Sequence, residues 1–476
     1  MSCESNNATP PSPAIAPGVD KIDPAEVARQ FGEAVGGAAG GGVNPRIRAI
    51  VPGFDAPFFQ AGLAGYSDAA MRIIARRHGC PFCVTEALLD RTLLAGGRGF
   101  TKADLGELHD NIPGGPEDHP LACQIMGSDP REMAAAALKV AEQGRGGDNK
   151  HYRRLAYSDL SEEEAAEIAS AHLRLPGGVQ VGRFDPMAGL EGEEGIGDSG
   201  SGIGETLSGA PGFETIDINL ACPVKKIKAK ARGGHWLAEP EGAIRLLEAV
   251  REQVPARIPC TVKLRRSFDD TPGMVANFER ILSAAFDMGY AWATVHARTV
   301  EQKYIGPSRW TVLRDIVRRH PDRLIFGSGD VWSAADIFRM IGYTGVAAVA
   351  VARGCIGNPW IFRQARQMMA GQAPTTPTIA EQRAVLEEHF RISVAVCGER
   401  HASKNMRKFG IRFAAHHPRA EDVRRRFIAV ENIEGWRRIL SEEYGAGEER
   451  GEEERLSAGT GNPGGMAGVG GRASAT

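Results

Sequence analysis

Eight short apolar stretches, most of them rich in β-branched residues, recur along this chain and mainly alternate with segments of helical spacing. They are PFFQAGLAG from Pro57, FCVTEAL from Phe82, LACQIMG from Leu121, TIDINLA from Thr215, CTVKLR from Cys260, WATVHA from Trp292, LIFGSG from Leu324 and AVAVARG from Ala348. Near-continuous hydrophobicity, with polar residues gathered at the C-terminal ends, is the pattern of parallel strands buried on both faces. The intervening DAAMRIIARRHG, DPREMAAAALKVAEQG and EPEGAIRLLEAVREQV carry helix signals, with Pro130 near a first turn and Gly79 and Gly144 as stops. This order predicts an α/β fold, a (β/α)8 TIM barrel, whose chemistry sits on the loops after each strand's C-terminal end. A doubly wound open sheet is the structural competitor. The eighth unit favours the barrel, as does the lack of a Gly-rich dinucleotide fingerprint after the first strand.

Residues 1–45 are rich in Pro, Gly, Ala and Asn without sustained apolar periodicity, and residues 445–476 run through EERGEEER into a Gly-rich tail. Both are expected to be disordered and outside the fold. The barrel is expected over 50–370, with an insertion at 145–210 whose Gly-rich, acidic sequence predicts a mobile surface loop. Over 371–444 the strands stop, and TIAEQRAVLEEHFRISVAV, SKNMRKFGIRFAAHH and ENIEGWRRILSEEY predict a separate small helical domain.

No apolar run approaches bilayer length, and the N-terminus lacks a basic stretch followed by an apolar core, so no membrane span or secretory signal is expected. A cytoplasmic monomer is the expectation. The eight cysteines lack the dense framework of a small secreted domain and are expected to be thiols. Cys80 and Cys83 have zinc-ligand or redox spacing, but no second pair or histidine cluster completes a site, so burial is expected and no metal is assigned. The net charge of −2 decides nothing about nucleic acid, because a balanced total can hide a basic face.

In a barrel, polar residues that end the strands converge on one mouth whatever their separation in sequence. Gln124, Asp217, Asn219, Cys222, Lys263, Arg265, His296 and Arg298 all fall there. An amide, a lysine and a histidine beside Gly-containing strand ends suit a flat polar heterocycle such as a flavin, the cation stabilising negative charge on the reduced ring. GSGD (Gly327 to Asp330) and ARG (Ala352 to Gly354) end the seventh and eighth strands, where small residues let backbone N–H groups approach a phosphate. Each residue also has a plainer reading. A cysteine before proline is more often a buried small hydrophobe. Lys263 can cap a strand end, His296 can be a satisfied core histidine, and Arg424 to Arg426 are by default a solvated helix face.

The motifs AGLAGYSD, TEAL, QIMGSDP, IDINLACPVKK, VKLR, VHART, GSGDV and ARGCIGNPWIF resemble, in order and spacing, those of the tRNA-dihydrouridine synthases of bacterial type, across essentially the whole barrel. INLACP followed by a basic loop is the most specific element, and MRKFGIRF is similar to the family's C-terminal tRNA-binding helices. The resemblance implies an FMN-dependent oxidoreductase that reduces the C5=C6 bond of particular uridines in tRNA, with NADPH as reductant. It makes Cys222 the catalytic proton donor. Gly62, Leu63 and Ala64 become the flavin-contacting segment of the first strand, Gln124, Lys263 and His296 flavin contacts, and Ser328, Gly329, Asp330, Ala352, Arg353 and Gly354 the phosphate turns. The chain departs from the family pattern in small changes: Gly62 and Leu63 for a proline and a methionine, Ala221 and Ala352 for glycines, and Ser328 for an asparagine.

A thiol acting as acid must be neutral, and an ordinary thiol, of pKa about 8.5, is largely protonated at neutral pH. The target base must be turned out of its stack, which calls for a basic surface round the mouth. Asn219, Lys226, Lys230, Arg265 and Arg298 are the expected substrate contacts. Lys225, Lys228 and Arg232, then Lys404, Arg407, Lys408, Arg412 and Arg424 to Arg426, extend a track for phosphates. Two other readings stand beside this one: an FMN barrel reducing a small molecule, with no need for the basic helices, and a tRNA-binding relative that has lost catalysis.

Overall fold

The computed structural model describes residues 16–32, 42–95, 115–143, 149–158, 161, 212–223 and 233–445. All eight expected stretches are strands: β1 (Phe58–Gln60), β2 (Cys83–Leu89), β3 (Leu121–Met126), β4 (Thr215–Leu220), β5 (Cys260–Arg265), β6 (Ala293–His296), β7 (Ile325–Ser328) and β8 (Ala348–Val351). They pair in parallel and in chain order. β1 closes onto β8 through Phe58↔Val349 and Gln60↔Val351, so the sheet is a closed barrel and the open-sheet alternative is excluded. Every residue of β3 and β4 is buried, which is why the strands read as continuous apolar runs: one face fills the barrel and the other meets the helices.

Helices α1 (Pro24–Gly32) and α2 (Pro45–Ile50) precede the barrel. Helices α3 (Ala69–Arg77), α4 (Asp90–Ala95) and α5 (Pro130–Glu142) follow the first three strands, and α6 (Asn149–Tyr157) opens the insertion. Helices α7 (Pro240–Gln253), α8 (Pro272–Asp287), α9 (Trp310–Arg319), α10 (Ala334–Thr344) and α11 (Trp360–Met369) follow β4 to β8. Asp129 caps α5 by accepting from the Arg131 and Glu132 N–H groups, with Pro130 in its first turn. The helical domain is α12 (Ile379–Cys397), α13 (Glu399–Phe413), α14 (Ala420–Ile428) and α15 (Ile433–Glu443). A capping box between Thr378 and Glu381 starts it. None of the described helices is long and apolar enough to cross a membrane.

Two expectations about the periphery are corrected. Residues 1–45 were expected outside the fold, but α1 packs on α10 and α11, with Phe31 against Phe338 at 6.5 Å and Ala28 fully buried. Its apolar positions, Val27, Ala28 and Phe31, make one helical stripe too short to stand out in a Pro/Gly-rich context. Next, α2 and the turn after it plug the N-terminal end of the barrel. Ile47, Val51 and Phe54 join Phe59, Phe82, Trp292 and Phe326 there, Phe54 stacking on Phe82 at 4.9 Å. That plug leaves the C-terminal strand ends for the site.

The insertion at 145–210 is likewise not all loop. Tyr152, Ala156 and Tyr157 share one face of α6 and are buried against the barrel helices. Tyr157 Oη donates to Glu132 at 3.2 Å and Tyr152 Oη to Glu142 at 2.8 Å. Residues 162–211 and the tail from 446 lie outside the described residues.

Candidate active site

Residues two apart on a strand share a face. Along β4 this puts Asp217 and Asn219 together, along β5 Thr261, Lys263 and Arg265, and along β6 Thr294 and His296. The ladder then sets Gln124 beside Asp217, Asn219 beside Lys263, Arg265 beside His296, and His296 beside Ser328. Gln124, Asp217, Thr261, Lys263 and Gly62 line one cavity inside the barrel.

Cys222 sits on a turn built by Asn219. The Ala221 and Cys222 N–H groups donate to Asn219 Oδ1 at 2.9 and 3.2 Å, and Asn219 Nδ2 donates to Gln124 Oε1 at 2.7 Å. From the other side Gly234 N–H donates to the Cys222 carbonyl at 2.9 Å. The thiol is half-buried. Arg265, expected to touch substrate, is instead committed to internal carbonyls: Ala221 at 3.0 Å, Thr299 at 2.7 Å and Lys303 at 2.7 Å. A guanidinium has five donors in a rigid fork, so Arg265 pins the Cys222 turn to the loop after β6.

Arg298 is similarly occupied. Its Nη2 donates to both oxygens of Asp330, at 2.8 and 2.6 Å, and to the Gly306 carbonyl, and the pair is almost fully buried. Asp330 also accepts from Ser308 N–H at 2.8 Å, so its carboxylate serves the scaffold rather than facing a ligand. The turn after β7 is set by backbone: Gly329 has φ +120° and Asp330 φ +53°, and the Gly329 carbonyl accepts from Trp310 Nε1 at 2.9 Å. The N–H groups of Gly329 and Asp330 have no acceptor among the described residues. Glycine is required at 354, where a Cβ would lie 2.3 Å from the Val331 carbonyl oxygen. That close approach joins the turns after β7 and β8.

The electrostatics are one-sided. Lys263 has no hydrogen-bond or ion-pair partner among the described residues. Burial and the charge of Arg265 lower its pKa, while Asp217 opposes the shift. His296 Nδ1 accepts the Arg298 N–H at 3.2 Å, which puts the proton of the neutral ring on Nε2. Burial first, then Arg265, Lys263, Arg298 and Arg353, hold its imidazole neutral, well below the usual histidine range. Burial and Arg298 also lower the pKa of Arg353. Cations gathered this closely call for an anion.

Of the other expected residues, Gly62 lies against β2, where a Cβ would come within 2.3 Å of the Thr85 carbonyl oxygen and 3.3 Å of Gln124 Oε1. Leu63 N–H donates to Ser67 Oγ at 2.8 Å, and Ala64 is exposed. Ser328 Oγ donates to the Ala350 carbonyl at 3.2 Å, and Ala352 precedes the short turn holding Arg353 and Gly354. Lys226 and Lys230, with Lys225, Lys228 and Arg232, lie outside the described residues. The basic helical track shrinks. Arg424, Arg425 and Arg426 pair with Glu421, Asp422 and Glu442/Glu443, and Lys408 donates to the Gly65 carbonyl and lies 5.1 Å over the Tyr66 ring.

Two residues at this mouth, Glu86 and Tyr304, were not singled out from the sequence. Glu86, inside the quoted TEAL motif, lies beneath the β1 loop; burial first, then Asp68, pushes its pKa up to about 7, against the pull of Lys408. Lys408 ties the helical domain to that loop. Tyr304, more than half exposed, is flanked by the guanidinium groups of Arg265 at 5.5 Å and Arg353 at 5.0 Å. An aromatic in the polar loop EQKYIG was the available signal.

Residues 207–443 match the family model described as dihydrouridine synthase. Over those residues the chain is similar to the dihydrouridine synthase family. Among curated relatives, a probable tRNA-dihydrouridine synthase of Treponema pallidum (strain Nichols) is 36% identical over 207 residues, 42% of this chain and 59% of the relative. The tRNA-dihydrouridine synthase B of Shewanella oneidensis is 31% identical over 207 residues, 43% of this chain and 60% of the relative. The chain thus spans about three fifths of the length of these dihydrouridine synthases. Among solved structures, morphinone reductase aligns over 69% of this chain and 89% of its own at 13% identity and a TM-score of 0.37, too slight a likeness to build on. The family match takes in β4 to β8 and the helical domain, while the motifs on β1, β2 and β3 lie before it.

Proposed function

We propose that this chain is an FMN-dependent tRNA-dihydrouridine synthase, which reduces the C5=C6 bond of specific uridines in tRNA. The observation that carries the reading is the joint placement, at one barrel mouth, of the Asn219-held Cys222 turn and the cationic, donor-rich pocket of Lys263, His296 and Arg353.

The residues fit an anionic flavin nucleotide. Lys263 offers a donor without a partner, His296 a neutral Nε2–H, and the turns after β7 and β8 free backbone N–H groups at Gly329 and Asp330. Arg298 Nη1 is buried and has no protein partner. Bound FMN, re-reduced by NADPH, supplies hydride chemistry at such a site. The chain's own residues do the rest. Gln124 and Lys263 orient the planar ring from the barrel floor, and the Gly329–Asp330 turn takes the phosphate. Cys222 holds a proton on Sγ for C5 of the uracil, while Arg265 keeps the Cys222 turn against the β6 loop and so limits water at the reacting face.

The helical domain supports an RNA substrate over a small molecule, because it packs on the β1 loop that carries Gly62 to Ala64. Tyr66 meets Phe409 edge-on at 5.6 Å, and Lys408 holds the Gly65 carbonyl. The test is reduction of an unmodified tRNA transcript by the full chain with FMN and NADPH, read as a two-dalton gain by nucleoside mass spectrometry. Wild type should convert uridine, and Cys222→Ala should retain flavin while losing at least ~100-fold in rate. Full activity in that variant removes Cys222 from its role, and no conversion by wild type, with flavin bound, returns the chain to the small-molecule reductases.

A further inference from the structure

A relay of side-chain hydrogen bonds runs beneath the site from β5 to the Cys222 turn. Thr261 Oγ1 donates to Asp217 Oδ1 at 2.7 Å, and Gln124 Nε2 donates to Asp217 Oδ2 at 2.7 Å. Asn219 Nδ2 then donates to Gln124 Oε1 at 2.7 Å, and Asn219 Oδ1 receives the Ala221 and Cys222 N–H groups. An amide turned by half a revolution exchanges its donor and acceptor, whereas an ionised carboxylate only accepts. Both Asp217 oxygens receive donors, the arrangement that suits an ionised carboxylate. Burial raises the Asp217 pKa, while the Thr261 and Gln124 donors and the charge of Lys263 oppose the shift.

The direction of the whole relay is fixed alike from both ends, since Asp217 accepts at one end and the Ala221 and Cys222 N–H groups can only donate at the other. Asp217 demands the Gln124 NH2, which leaves the Gln124 oxygen for the Asn219 NH2, which leaves the Asn219 oxygen for the two backbone N–H groups. We propose that Asp217 is a positioning residue that holds Gln124 in the orientation matching Asn219 and thereby braces the turn bearing Cys222. The chemistry that Cys222 performs rests on the function proposed above, but the relay does not, and its test reads no dihydrouridine.

Moving the charge one place along the relay tests this. Gln124→Glu sets a second carboxylate against Asp217 and removes the NH2 that Asp217 needs. Adding Asp217→Asn rebuilds every bond: the amide introduced at 217 donates to the carboxylate at 124, which still accepts from Asn219, while Thr261 donates to the amide oxygen. The full chain is treated with iodoacetamide at pH 8, and peptide mass spectrometry follows alkylation of Cys222 against Cys397, the other described half-buried thiol. Gln124→Glu should raise the Cys222 rate about tenfold, as repulsion between the carboxylates at 124 and 217 displaces side chain 124 and with it the Asn219 that holds the turn, with Cys397 unchanged. The double variant should return to within about twofold of wild type. A wild-type rate in Gln124→Glu, or a double variant as fast as the single one, overturns the proposal. If Gln124→Glu does not fold, recovery of folded protein on adding Asp217→Asn supports the relay, and failure of both variants overturns it.

Discussion

At the scale of single residues, the site is made by side chains that bind each other before they bind anything else. Arg298 and Asp330 show this best. Each looks like a ligand contact in the sequence, yet together they form a buried pair at 2.6 Å that also anchors Ser308 N–H. Breaking such a pair strands a charge in low dielectric, which costs more than the pair itself contributes. Arg298→Ala should therefore lower the free energy of unfolding in urea by about 3 kcal/mol, and Arg298→Ala with Asp330→Asn should recover part of that loss. A double variant no more stable than the single one would mean that Asp330 finds its partners elsewhere.

Among the elements, helix α12 carries a liability in its own core. His389 packs between Phe409, at 4.4 Å, and Phe413, at 6.3 Å, and neither ring nitrogen has a hydrogen-bond partner. Burial alone pushes its pKa down to about 3. The unfolded chain, with an ordinary histidine pKa near ~6.5, takes up a proton that the folded domain refuses, so stability is complete above that value and declines as the pH falls. The loss approaches roughly 1.4 kcal/mol per pH unit below 6.5. Thermal unfolding followed at Trp436, which stacks on Phe390 of the same helix, should show the midpoint falling from pH 7 to pH 5. His389→Leu should raise the midpoint at pH 7 and flatten this dependence; an unchanged pH slope would assign the acid sensitivity to another group.

For the whole molecule, the question is where a polyanion would lie. The Arg424 to Arg426 run is neutralised locally, which leaves α13 as the better candidate. Arg400, Lys404 and Arg407 follow one another along that helix at helical spacing, and none has a partner among the described residues. The same helix reaches the barrel mouth through Lys408. Lys404→Ala with Arg407→Ala should weaken tRNA binding and reduce the slope of log K against log salt by about 1.8, the value for two lost phosphate contacts. Alanine at 424, 425 and 426 should change that slope little. The opposite ranking, measured by fluorescence anisotropy across a salt series, would place the RNA on the α14 face.

The sequence by itself determined the barrel, its eight strand positions, the helical domain and the cluster of polar strand ends, because burial on both faces and alternation along a strand are local constraints written residue by residue. It also brought Cys222, Asn219, Gln124, Lys263 and His296 to one mouth, since closure of a parallel barrel leaves strand ends nowhere else to go. What it did not decide was the use of each side chain. Whether Arg265 holds carbonyls or phosphates, whether Asp330 faces a ligand or Arg298, and whether Lys408 serves RNA or Gly65 depends on partners far away in the chain. The same is true of α1, whose three apolar residues become a docking face only against Phe338 and Gly342. Hydrogen bonds and ion pairs are short-ranged and directional, so only the tertiary structure, by fixing which donors and acceptors meet, could assign them.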